Sequence, residues 1–230
     1  MYLYETHLHT KLVSKCSSLT PEKIVEMYTK NGYAGVFITD HFLNGNTTVE
    51  ERFPKATFQE KISAFCESYK EVKRVAGTSL QVFFGFEYSY RGTDVLVYGW
   101  NEERLKTLEN IMSMTMKQFC IFCRENGALV VQAHPFREAS YIDHIRLFPE
   151  TEGVETFNSC RNELCNKLGA FYADAYGKIS IGGSDCHHAN QPILSGMAFD
   201  EKLQSEEDFI EKLRQGKGQI FKKENVLLTE

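Results

Sequence analysis

Short apolar runs alternate with amphipathic segments along this chain, and that alternation restricts the fold more than any other feature. The run YLYETHLH precedes LTPEKIVEMYTKNG, where Thr20 caps a helix, Pro21 suits its first turn and Gly32 closes it. AGVFITDH precedes FQEKISAFCESYKEVKRVAG, again closed by glycine. LQVFFGFEYSY and DVLVYGW read as two strands around a turn at Arg91-Gly92-Thr93, and ENIMSMTMKQFCIFCRENG reads as a helix. ALVVQAHPF is a strand stopped by Pro135, and REASYIDHIRLFPE is irregular. GVETFN, RNELCNKLGAFYADAYG, KISIGGSD and SEEDFIEKLRQGKG continue the alternation, with QIFKK as a short final strand.

Continuous apolar strands separated by helices imply a largely parallel sheet covered by helices. About six to eight such units favour closure into an α/β barrel, with a doubly wound open sheet as the alternative. A chain of 230 residues suits one barrel domain, 1–230, and it contains no internal repeat or linker.

The net charge of −5 argues against a broad surface for long nucleic acid but leaves room for a small anionic substrate. No apolar run approaches the ~20 residues that span a bilayer, and no signal-peptide pattern opens the chain. The expected location is therefore the cytoplasm, where the seven cysteines stay reduced. Cys120 and Cys123 fall inside a helix and are expected to pack on its buried face. Cys160 and Cys165 do not complete a zinc site with them. The pattern fixes no oligomeric state.

Polar residues gather where the strands end. His7 and His9 close the first, Asp40 and His41 the second, and Glu87 lies late in the third. His134, Asn158, and the trio Asp185, Cys186 and His187 follow later strands. In a parallel barrel those ends open on one face. Residues i and i+2 of a strand share a side, with roots roughly 6.5–7 Å apart. His7/His9 and Asp185/His187 have that spacing and can converge on one cation. Imidazole and carboxylate suit Zn²⁺, Mn²⁺ or Fe. So many buried charges at one rim need partners, and a metal site is the economical one. His144 lacks strand-end context and is expected at the surface. His188 points either to substrate or to solvent.

In this ordered set the chain resembles the polymerase and histidinol phosphatase (PHP) family of metal-dependent phosphoesterases. The resemblance runs through HLHT (7–10), TPEKIVEMYTKNGYAGVFITDH (20–41), FGFEYS (84–89), VVQAHPFR (130–137), VETFN (154–158) and IGGSDCHH (181–188). It implies a distorted TIM-like barrel of about seven βα units and a cluster of two or three divalent ions, Zn, Mn or Fe. Carried over, it makes His7, His9, Glu87 and Asp185 ligands of the first metal. Glu87 bridges to a second, shared with His134, and His41 and His187 hold a third. Asp94 stands where relatives often have a histidine and is expected to bind the second metal. Ser14-Lys15-Cys16 stands where many relatives have Ser-Asp-Gly, so the acid that reaches the third metal is missing. Lys15 then either meets substrate phosphate or is solvated.

The implied reaction is hydrolysis of a small phosphate ester by a metal-activated hydroxide, with Glu87, Asp185 and His187 carrying catalysis. Arg137, Arg161, Lys15 and Asn158 are the expected substrate contacts, arginine because its planar fork matches phosphate. Asp40 is expected to orient a ligand. Glu5, two residues before His7, braces either the cluster or a neighbouring strand. The proton donor to the leaving group is His187 or a bound water. Two rival readings are an amidohydrolase-type enzyme and a catalytically weak metal-binding regulatory protein.

Overall fold

The computed structural model describes residues 1–228. Its strands are β1 (Tyr2–Glu5), β2 (Gly35–Ile38), β3 (Gln81–Tyr90), β4 (Thr93–Tyr98), β5 (Leu129–Gln132), β6 (Gly153–Asn158), β7 (Ile179–Gly183), β8 (Ile193–Phe199) and β9 (Gln219–Glu224). They form one nine-stranded sheet in the order β7-β6-β5-β4-β3-β2-β1-β8-β9. β7 packs beside β8, so the sheet nearly closes on itself. Side chains make that seam: Ser195 N donates to Ser184 Oγ at 2.7 Å, and Gly182 N to Met197 Sδ at 3.4 Å. The fold is thus a distorted α/β barrel, as expected.

The sheet is less parallel than the sequence suggests. β3–β4, β4–β5, β1–β8 and β8–β9 pair antiparallel, whereas β1–β2, β2–β3, β5–β6 and β6–β7 are parallel. A tight turn reverses β3 into β4, with Arg91 and Gly92 at φ 52° and 81°, the two positive angles that suit the twist of a hairpin. β8 was not anticipated. Its small residues Ser195 and Gly196 interrupt an apolar pattern, and a Cβ at Gly196 would lie 1.9 Å from Tyr4 O on β1.

The helices are α1 (Pro21–Lys30), α2 (Val49–Arg52), α3 (Phe58–Ala76), α4 (Glu102–Lys106), α5 (Met116–Glu125), α6 (Glu163–Ala175) and α7 (Glu206–Arg214). The helix anticipated over 109–127 begins only at Met116. A capping box explains this: Thr115 accepts from Gln118 N, and the Gln118 side chain accepts from Thr115 N. A 3₁₀ turn, Glu109–Ser113, fills the preceding stretch. No helix among the described residues is long and apolar enough to cross a membrane.

Strand alternation sorts the core. Tyr4, Phe37, Phe83, Tyr98 and Val131 pack together on the inner side, while Val36, Ile38, Val82, Val95 and Val130 pack in outer layers. Phe209 of α7 meets Phe37 at 4.4 Å and Tyr98 at 5.3 Å between ring centres, plugging one end with aromatic surface. From Phe83 the same row of β3 passes Gly85 to Glu87. The barrel is therefore apolar at one end and charged at the other.

Candidate metal centre

Backbone hydrogen bonds fix the charged end. Glu5 is fully buried at the end of β1. Its Oε1 accepts from Thr6 N (3.0 Å), His7 N (2.9 Å) and Ser184 N (2.9 Å), and Tyr28 OH donates to Oε2 at 3.0 Å. Glu5 thus pins the turn that presents His7 and ties it to the chain after β7. Burial nevertheless pushes its carboxyl up to about 7. Beyond the strand ends, Leu8 bridges Cys186 and His41 bridges Glu87, which keeps those segments aligned. His134 (φ 28°) and Asp185 (φ 51°) occupy left-handed backbone, which costs roughly 1–3 kcal/mol each for non-glycine residues. Such strain persists only where surrounding contacts enforce it.

Four side chains converge at the centre. His7 Nε2 lies 3.5 Å from Glu87 Oε1 and 3.5 Å from Asp185 Oδ1. His9 Nε2 lies 3.4 Å from Glu87 Oε2 and 3.4 Å from Asp185 Oδ1. These separations are long for hydrogen bonds, and neither nitrogen has a hydrogen-bond partner among the described residues. Around a tetrahedral ion with bonds of ~2.0–2.1 Å, ligand atoms stand ~3.3–3.4 Å apart. The orphaned nitrogens and the spacing both fit a divalent cation.

Two more groups adjoin this set. Glu87, Asp94 and His134 offer ligand atoms within 4.8 Å of one another, with His134 Nε2 3.2 Å from Glu87 Oε1. His9, His41 and His187 do the same on the other side. His41 Nδ1 is 2.7 Å from Glu87 Oε2, so Glu87 stands between all three groups.

Outer partners set the imidazoles' orientation. His7 Nδ1 pairs with Glu155 Oε1 at 2.9 Å. His9 Nδ1 meets Ser14 Oγ at 3.1 Å, and that hydroxyl donates to Asp40 Oδ1 at 2.6 Å. Asp40 thereby positions His9 through Ser14. His187 Nδ1 faces Asp185 O at 2.7 Å. Each leaves Nε2 for the interior.

The electrostatics match. Burial opposes a protonated His7, but Glu155, Asp185 and Glu87 outweigh it and hold the imidazolium well above 6.5. Burial, His187 and His41 hold His9 well below that value. Burial opposes charge on Glu87 and Asp185, yet the neighbouring imidazoles keep both carboxyls well below their ordinary range. Burial and Glu87 raise Asp94.

Some expected residues lie elsewhere. Lys15, expected either to meet phosphate or to be solvated, is exposed and pairs with Glu51 rather than with a residue of the cluster. Asn158 is fully buried and donates to Glu155 Oε2 at 2.8 Å and Asp185 Oδ2 at 3.4 Å. It holds these two carboxylates and does not line the cleft. His144 is exposed beside Asp143. His188 lines the cleft and meets Ser18 Oγ at 2.9 Å. Arg137 and Arg161 both line the cleft. Arg137 Nη2 donates to Asp94 Oδ2 at 2.8 Å and Arg161 Nη2 to Asp185 Oδ2 at 3.1 Å, and each has a buried Nε without a partner.

Two residues escaped the sequence reading. Glu155 sits mid-strand in GVETFN, where an acid flanked by apolar residues was the available signal. Cys16 lines the cleft beside His41 and His187. Burial opposes ionisation of its thiol, but His187 and His41 outweigh burial and lower it to about 6. The cleft above the cluster holds about 640 Å³, the size of a small-molecule site.

Comparisons with known proteins agree with this architecture. Residues 164–217, from α6 through α7, match the PHP-associated family model. No protein of curated function matches the chain. In fold, it resembles a two-domain Bacteroides vulgatus protein containing a candidate PHP-like metal-dependent phosphoesterase (TM-score 0.65, 12% identity). That match covers 96% of this chain but only 64% of the longer protein. PsfC of Pseudomonas syringae aligns with TM-score 0.62 and 14% identity, covering 98% of this chain and 92% of PsfC. A candidate metal-dependent phosphoesterase of Bifidobacterium adolescentis aligns with TM-score 0.53 and 15% identity, covering 92% and 96%. At these identities the likeness is one of fold.

Proposed function

We propose that this chain, which carries a PHP-associated segment on the fold of PHP-like metal-dependent phosphoesterases, hydrolyses a small phosphate ester. One observation carries the reading: His7 and His9 aim unpaired, buried nitrogens at the oxygens of Glu87 and Asp185 with the separations of a metal's ligand shell. His7, His9, Glu87 and Asp185 would hold one divalent ion, Zn, Mn or Fe. Glu87, Asp94 and His134 would hold a second. Bound ions of this kind supply a water nucleophile at neutral pH and compensate charge on phosphate oxygens.

The chain's own residues do the rest. Glu87 can offer one oxygen to each of two ions. Arg137 and Arg161, which line the cleft, would grip the phosphoryl oxygens and draw their charge away from the ester. His187 stands at the mouth of the cleft and is the protein group available to give a proton to the leaving alcohol. The size of the cleft favours a small phosphorylated substrate over a polymer. All seven cysteines are unpaired, which suits a reducing, cytoplasmic setting.

The test is phosphate release from a chromogenic phosphate ester by the Mn²⁺- or Zn²⁺-loaded protein, with an amide substrate alongside. Turnover of the ester that disappears in Glu87→Ala, with circular dichroism unchanged, is expected. An ion-loaded protein that cleaves the amide and no phosphate ester overturns the assignment.

A further inference from the structure

Helix α6 carries a row of apolar side chains that the fold leaves uncovered. Leu164 is 65% exposed, Leu168 38% and Phe171 73%, and Ala175 is exposed as well. At a helical repeat of about 3.6 residues these four line up along one stripe. The other side of α6 is buried, with Gly169 close to Glu155 O and Tyr172 and Ala173 packed against Val154. The helix is thus apolar on two sides, and only one of them meets the barrel. It packs on β6 and β7 but not along another helix, whereas α1 packs on α3 and α3 on α4. Single exposed apolar residues are ordinary on a protein surface; a contiguous row of them marks an interaction surface.

The charges beside the row say what fits it. Lys167 and Asp174, both exposed, lie along the same edge of the stripe. They are two turns apart, ~10.5 Å along the axis, too far to pair within one helix. Within the chain Lys167 reaches only back to Glu163, at 2.6 Å. Lay two copies of α6 antiparallel, about a two-fold axis between Ala170 and Phe171. Lys167 of each copy then stands opposite Asp174 of the other. The same axis interleaves the apolar row. Ala175 of one copy falls between Leu164 and Leu168 of the other, and Leu168 falls between Phe171 and Ala175. The two Phe171 rings meet beside the axis. One register therefore satisfies both the charges and the apolar row.

We propose that the exposed row of α6 is a homodimer interface, on which a second copy of this chain packs its own α6 antiparallel. One helix pair is small beside the ~800 Å² per partner of standard interfaces, so the dimer should be weak and concentration-dependent. Phe171, large and central, is its anchor. The inference is independent of the metal reading.

The test is sedimentation velocity of the full chain from about 1 to about 100 µM. The wild type should pass from monomer to dimer over that range. Phe171→Asp, a change at an exposed position, should keep the circular dichroism of the wild type and weaken the dimer at least ~10-fold. Lys167→Glu and Asp174→Lys should each weaken it ~3–10-fold. The double variant should return to within ~2-fold of wild type, because opposite charges again face one another between copies. A wild type that stays monomeric throughout, as when the row serves a different protein, overturns the proposal. So does a dimer indifferent to Phe171→Asp, or one that the double charge swap fails to restore.

Discussion

His7 Nδ1 and Glu155 Oε1 lie 2.9 Å apart with both side chains wholly buried. The pairing holds the ring so that Nε2 faces Glu87 and Asp185, and with an ion on Nε2 it would keep the one remaining proton on Nδ1. Glu155 also accepts from His134 N at 3.0 Å, so one carboxylate steadies two histidines of the cluster. Removing such an orienting carboxylate typically lowers metal affinity ~10–100-fold. Glu155→Gln should fall at the mild end of that range and Glu155→Ala at the severe end. Competitive titration against a metallochromic indicator measures this; wild-type affinity in both variants would refute the orienting role.

The metal-free and loaded proteins should respond oppositely to pH. An imidazole whose folded pKa is raised, as for His7 and His41, contributes stability that is complete below 6.5 and is lost as pH rises through the folded value. A carboxyl whose folded pKa is lowered, as for Glu87, contributes stability that is complete above 4.5 and is lost as pH falls through the folded value. His9, whose value is lowered, works the other way below 6.5, so with two raised imidazoles against one lowered the metal-free protein should weaken as pH rises above neutrality. Ion binding displaces those protons, so the loaded protein should gain stability as pH rises to neutrality. Melting curves with and without chelator decide it; parallel pH profiles would contradict the account.

Gly183 is where β7 passes closest to the cluster. A Cβ there would stand 2.6 Å from Glu155 Oε1 and 2.7 Å from His7 Cβ. Both neighbours are buried and held in place. Gly183→Ala should cost about 1–3 kcal/mol of stability and weaken ion uptake, because relief requires parting His7 from Glu155. Chemical denaturation and ion titration together test this. An unaltered midpoint would mean the site is looser than its hydrogen bonds imply.

Arg137 and Arg161 each use one arm on an acid of the cluster and keep Nε spare. Lysine preserves the charge but not the fork. Arg137→Lys and Arg161→Lys should each weaken inhibition by inorganic phosphate ~10-fold, a loss of ~1.4 kcal/mol. Inhibition constants equal to wild type would remove these arginines from phosphate binding.

Much of this was legible in the linear chain. The alternation of apolar runs and capped helices specifies an α/β barrel because backbone periodicity and capping are local properties. HLHT, ITDH, FGFEYS and SDCHH declare ligand-type residues at strand ends, because such residues have no other economical place beside an apolar core. The pairing directions were not legible. They turn on a two-residue reversal at Arg91-Gly92 and on β8, whose Gly196 makes sense only against Tyr4 of β1.

The sequence by itself determined which residues have the chemistry to hold a cation and that the strand ends carry them to one rim. Only the tertiary structure decided how they divide the work. Glu155 became an orienting partner, Asn158 a support for carboxylates, and Cys16 rather than Lys15 the residue that faces the histidines. Those roles depend on separations of a few ångströms between segments distant in the chain. Burial then gives each contact its weight, since a charge removed from water must find its partner within that reach.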